Sequence, residues 1–276
     1  TLSIDTDTGS YTNVRRYLNE GQLPPTDAVR VEEMINYFSY DFSNSKRLAQ
    51  APFVIETEIV DSPWDRVDQN NQILKVGIKA IDPKQSATNN QNLPPANLVF
   101  LVDVSGSMNS SDKLPLAKAT LNLLSKQLRA EDTISIVTYS GSTQVALAPT
   151  SGDKVTTVQA AINSLNAAGS TNGEDALKLA YDQATKTLKK GSINRILMLT
   201  DGDFNVGISD VDEMLDLVKA NRDRGISLST LGFGRGNLND YMMEQMADNG
   251  NGNYSYIDSL SEAKKVLDDE LKATFN

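Results

Sequence analysis

The chain is most constrained by one short run, Leu98-Val-Phe-Leu-Val102, which leads directly into Asp103-Val-Ser105-Gly-Ser107. Unbroken apolarity over so few residues, without polar alternation, fits a strand buried on both faces. Strands of that kind lie inside parallel sheets covered by helices, and ligands there bind beyond the carboxyl ends of the strands. The loop at this end carries a carboxylate and two hydroxyls. Such oxygens make a poor nucleophilic centre but a plausible seat for a hard cation.

From residue 98 onward the pattern alternates. Residues 98–103, 133–139, 193–200, 226–233 and 254–257 read as strands, with a shorter one near 144–148. Between and after them, residues 113–129, 154–165, 173–189, 211–224, 238–247 and 261–273 read as helices. Alternation of this kind predicts an α/β fold, a doubly wound and mainly parallel sheet flanked by helices, over residues 97–276. Residues 1–96 read as a separate N-terminal segment. It has helices at 13–19 and 27–37, strands at 53–60 and 73–81, and an Asn- and Pro-rich linker at 82–96. Trp64, beside Pro63, is expected to anchor the packing of this segment.

Composition narrows the chemistry further. The chain has 276 residues, no histidine and no cysteine, and a net charge of −10. A thiol nucleophile, a histidine base and a Cys/His zinc site are therefore excluded. A bound metal must be held by oxygen, which points to Mg²⁺, Ca²⁺ or Mn²⁺. The acidity argues against nucleic acid or an anionic membrane as partner. No apolar run approaches the roughly 18 residues of a membrane span. The chain opens at Thr1 without Met or a signal-like stretch, as expected of a trimmed or mature form.

Side-chain oxygen is concentrated at three places: Asp103-x-Ser105-x-Ser107, Gly169-Ser170-Thr171-Asn172 ahead of a helix, and Thr200-Asp201-Gly202-Asp203 after a buried strand. In a parallel sheet the first and third share one edge, with the second beside them. Taken singly, each reads as a turn or helix cap; taken together, in order, they read as a metal site. Competing motifs are weaker. Asp201-x-Asp203-x-Asn205 with Asp212 lacks the glycine and final glutamate of a calcium loop. Asp203 and Asn205 are instead expected on the site's rim. Asp7-Thr8-Gly9-Ser10 matches an aspartic-protease signature, but only once, and that chemistry needs two facing carboxylates. Gly232-Phe233-Gly234-Arg235-Gly236 lacks the third glycine of a dinucleotide loop and reads as a tight turn.

On these residues, positions 97–273 resemble a von Willebrand factor type A domain. Asp103-Val-Ser105-Gly-Ser107-Met108, Thr171 and Thr200-Asp201-Gly202 match that family's metal-ion-dependent adhesion site. The resemblance implies direct ligation by Ser105, Ser107 and Thr171. Asp103 and Asp201 would act largely through water, with Asp201 ligating directly when the domain closes. It implies Mg²⁺, with Mn²⁺ or Ca²⁺ as alternatives, and a non-enzymatic adhesion or scaffold module. The metal would take an Asp or Glu carboxylate from a protein partner. Residues 5–42, including Ser10-Tyr11-x-Asn13-Val14-Arg15-Arg16 and Pro24-Pro25-x-Asp27-Ala28-Val29-Arg30-x-Glu32-Glu33, are similar to the segment preceding this domain in a group of bacterial proteins. Those proteins are often exported or membrane-anchored and many continue further, which favours an exported parent protein. The alternative is a phosphatase or phosphotransferase of the haloacid dehalogenase type with Asp103 as nucleophile. That chemistry needs a second carboxylate two residues on, where Ser105 stands.

Overall fold

A computed structural model describes residues 7–40, 53–64, 71–80, 94–170, 173–202, 211–234 and 240–274. The chain divides into two units, residues 1–38 with 94–275, and residues 39–93 together with the final residue. In the first unit, helix α1 (Gly9–Asn19) and the short helix α2 (Val31–Asn36) precede the main alternation. The second unit is a hairpin of β1 (Phe53–Asp61) and β2 (Gln72–Ala80), paired antiparallel.

The rest of the first unit is a six-stranded sheet. Its strands are β3 (Ala96–Asp103), β4 (Thr133–Tyr139), β5 (Thr143–Ser151), β6 (Ile193–Thr200), β7 (Ser227–Phe233) and β8 (Tyr254–Ile257). They lie in the order β5-β4-β3-β6-β7-β8, all parallel except the antiparallel β4–β5 pair. The helices are α3 (Leu114–Ser125), α4 (Val155–Ser164), α5 (Glu174–Lys186), α6 (Val211–Arg222), α7 (Asp240–Asn249) and α8 (Leu260–Thr274). Every residue of β3 is buried, which explains why its sequence does not alternate. Leu98, Phe100 and Val102 meet Leu121 of α3, Ile162 of α4 and Val266 of α8 on one side. Val99 and Leu101 meet Leu177 of α5 and Val218 of α6 on the other. Burial contributes roughly 1.5–3 kcal/mol for each such side chain. The doubly wound sheet is as the alternation predicts.

Three expectations need correction. The helix expected over 27–37 is broken: Val29 and Arg30 are extended, between a 3₁₀ turn (Thr26–Ala28) and α2. The cause is non-local, because the Arg30 N–H donates to Ser10 Oγ of α1 (2.9 Å). Trp64 is not an anchor; it is 80% exposed beyond the end of β1. The boundary expected at residue 96 groups the N-terminal helices with the hairpin, whereas residues 1–38 belong to the compact unit of the sheet. Residues 81–93, which include most of the linker expected over 82–96, lie outside the described residues, and Ala96 already begins β3.

Asp7 and helix α1 cover the β8 edge of the sheet. On the side of β8 away from β7, the Tyr254 N–H donates to Asp7 Oδ1 (3.0 Å) and the Tyr256 carbonyl accepts from Thr12 Oγ1 (2.9 Å). Side chains thus take the place of a further strand on an open edge. Gly9 lies so close to the Tyr254 ring that a Cβ there would overlap it. The protease-like Asp7 is therefore a structural cap, 1% exposed.

Candidate metal centre

The parallel register β3–β6 brings Asp103 and Thr200 to one edge of the sheet, as the topology requires. Asp103 is fully buried at the last position of β3. Its Oδ1 accepts the Ser105 N–H (2.9 Å), a turn that folds the chain back on itself. Its Oδ2 accepts from Thr200 Oγ1 (3.1 Å), tying the first loop to the third. Thr200 Oγ1 in turn accepts the Gly202 N–H (3.1 Å), which shapes the turn around Asp201. Ser105 Oγ and Ser107 Oγ lie 3.0 Å apart. Met108, fully buried in the 3₁₀ turn Gly106–Asn109, pins this loop to the core.

The second loop reaches the same place through its backbone. The Ala168 N–H donates to the Val104 carbonyl (2.8 Å), and the Gly106 N–H donates to the Gly169 carbonyl (2.9 Å). Gly169 takes a left-handed φ of 81°, which its lack of Cβ permits. Thr171 itself, like Asp203 and Asn205, lies outside the described residues, but the segment leading into it is bonded to the Ser105–Ser107 loop.

The electrostatics favour a cation. Burial pushes the Asp103 carboxyl up to about 6, and the negative charge of Asp201 adds to that. Tyr139, opposite Asp103 in the register, has its phenol pushed well up by burial and then by the Asp103 charge. Asp201 is 5% exposed and its Oδ2 accepts from Lys113 Nζ (2.8 Å). Among the described residues no three of His, Cys, Asp and Glu cluster as a metal cage. The donor set is instead two carboxylates and a pair of hydroxyls, which fits a hard ion. The hydroxyl spacing fits as well, since adjacent corners of an octahedron with bonds of about 2.1 Å lie about 3.0 Å apart.

Sequence reasoning missed Lys113 and Tyr139. Lys113 read as the first residue of a helix and nothing local marked it. Thr200 was marked by its place in Thr200-Asp201-Gly202, and its hydroxyl holds Asp103. A cleft of about 420 Å³ opens beside these loops, lined by Asn109, Lys118, Asn163 and Asn166 among others.

Comparison with known proteins agrees with the fold. The von Willebrand factor type A domain model matches residues 97–269, and a second model described as von Willebrand factor matches residues 1–75. The chain belongs to the von Willebrand factor type A domain family. An uncharacterized protein of Escherichia coli (strain K12), YfbK, is 51% identical over 277 residues, covering 99% of this chain and 47% of its own length. The chain thus spans about half of that relative or less of others, such as 39% of a Synechocystis protein. Among solved structures, a von Willebrand factor type A protein from Catenulispora acidiphila aligns with a TM-score of 0.57 at 15% identity, covering 80% of this chain and 49% of that one. The mussel byssus proximal thread matrix protein 1, with a zinc-occupied metal-ion-dependent adhesion site, aligns at 0.52 and 19% identity, covering 66% and 46%. Domains of this family typically bind a divalent metal, commonly mediate metal-dependent protein interactions, and are generally not enzymes. No described helix is long and apolar enough to cross a membrane.

Proposed function

We propose that this chain is a divalent-metal-dependent protein-binding module whose site takes an Asp or Glu carboxylate from a partner protein. The observation that carries the reading is the convergence of Asp103, Ser105, Ser107 and Asp201 at the carboxyl ends of β3 and β6. Ser105, Ser107 and Thr171 would hold the ion directly, and Asp103 and Asp201 through water. Mg²⁺ suits this oxygen set best, with Mn²⁺ or Ca²⁺ as alternatives. When bound, such an ion supplies a Lewis-acidic position for an incoming carboxylate oxygen.

The chain's own residues set the conditions. Asp103 is fixed at both oxygens, so its orientation does not depend on a ligand. Neutral hydroxyl donors leave most of a divalent charge uncompensated, which favours an anion from outside. Lys113 already offsets the charge of Asp201, which biases the site further that way. No residue has a catalytic role in this reading. A haloacid dehalogenase mechanism finds no support: Ser105, in the place of the required second acid, has its hydroxyl turned to Ser107.

The test is a pull-down from native extract with the immobilised chain, with and without EDTA, and with Ser105→Ala as bait. Specific partners should be retained only by the wild-type chain in the presence of metal. Retention unaffected by EDTA and by the substitution would sink the reading.

A further inference from the structure

The β1–β2 hairpin pairs over nine residues, from Phe53↔Ala80 to Asp61↔Gln72, without a bulge. Cross-strand partners share a face, and faces alternate along each strand. One face therefore carries Phe53, Ile55 and Ile59 of β1 with Leu74, Val76 and Ile78 of β2. The other is mixed: Glu56, Glu58, Lys75 and Lys79 share it with Val54, Val60 and Ile73, and Lys75 Nζ lies 3.5 Å from Glu58 Oε2. Val54 on that face is only 8% exposed, whereas the six apolar side chains of the first face are 37–61% exposed.

A two-stranded hairpin is marginal in water by itself. A long, unbulged pair with an apolar face would also recruit strands from other molecules, which natural proteins avoid by covering it. The relative YfbK matches 99% of this chain over only 47% of its own length, so a polypeptide of that size has as much again to offer. We propose that the face of Phe53, Ile55, Ile59, Leu74, Val76 and Ile78 is the docking surface for β-strands supplied by further polypeptide of the same protein. Those strands present alternating apolar side chains and pack face to face about 10 Å above the hairpin, as in a two-layer sandwich. The strands of this segment are then one half of a second β domain.

The absence of cysteine gives a clean probe. Ile55→Cys and Val76→Cys place a thiol on the apolar face, and Lys75→Cys places one at an exposed position of the opposite face. Maleimide labelling rates are compared in the 276-residue chain and in the complete polypeptide. In the 276-residue chain, Ile55→Cys and Val76→Cys should label within a few-fold of Lys75→Cys. In the complete polypeptide both should label at least about 100-fold more slowly, while Lys75→Cys stays fast. Equal rates in the two forms would overturn the proposal, as would a complete polypeptide with no further strands. Protection already present in the shorter chain would overturn it too. If that protection grows with concentration, a second copy is the occupant; if not, another part of the same residues is.

Discussion

Lys113 Nζ lies 2.8 Å from Asp201 Oδ2, with the side chains 13% and 4% exposed. The lysine stem crosses Gly234, which has a left-handed φ of 77° and where a Cβ would overlap the stem. A tethered ammonium is thereby held on a carboxylate of the proposed metal site. A fixed positive charge there opposes a second, divalent one. Lys113→Met is expected to raise Mn²⁺ affinity about tenfold, or about 1.4 kcal/mol. The same change is expected to lower the melting temperature of the metal-free chain, because a buried carboxylate loses its cation. Calorimetry reads both effects. An unchanged affinity would show that the ammonium does not act on the site.

The hydroxyl pair should matter for metal and little for folding. Ser105→Ala and Ser107→Ala are each expected to weaken Mn²⁺ binding by about 10–100-fold while changing stability by no more than about 1 kcal/mol. Electron paramagnetic resonance of free Mn²⁺ measures the first, and urea denaturation the second.

Covering of the β8 edge rests on close approach. Gly9→Val would force α1 off the Tyr254 ring and is expected to destabilise the fold by about 1–3 kcal/mol. Exchange of the Tyr254 amide, now held by Asp7, should rise with it. A stable variant with a still-protected amide would show that the helix seats differently.

A pH dependence follows from the cluster around Arg30, which pairs with Glu33, Asp240 and Glu244. Burial pushes the Glu244 carboxyl up to about 7 from the usual 4.5, with nearby carboxylates adding to the shift. Burial also raises Glu33. A carboxyl whose pKa is higher folded than unfolded binds more protons in the native state. Stability must therefore fall as pH rises from about 4.5 to about 7. Glu244→Gln is expected to flatten that slope by about 1 kcal/mol, after allowance for solvent screening. Thermal melts across the window check it.

The sheet was legible because β3 is buried on both faces, and burial on that scale leaves an unbroken apolar run. The joining of Asp103 to the Thr200 loop was legible because parallel strands put their carboxyl ends on one edge. Lys113 was not, since its role depends on a glycine more than a hundred residues away. The break at Val29 and Arg30 was equally hidden, because the competing acceptor is Ser10 on another helix. Asp7 sat in a misleading motif, and its true role is set by Tyr254 at the far end of the chain. Trp64 shows the converse error: aromatic character favours burial, but only the partner surface decides it.

Titration calorimetry of Mg²⁺ into the wild-type chain and into Asp103→Asn tests the central claim most directly. The isosteric change keeps the turn while removing the charge. One ion per wild-type chain, with affinity reduced by about 10–100-fold in a variant of unaltered circular dichroism, is the predicted result. No binding by the wild type, or equal binding by both, would contradict it.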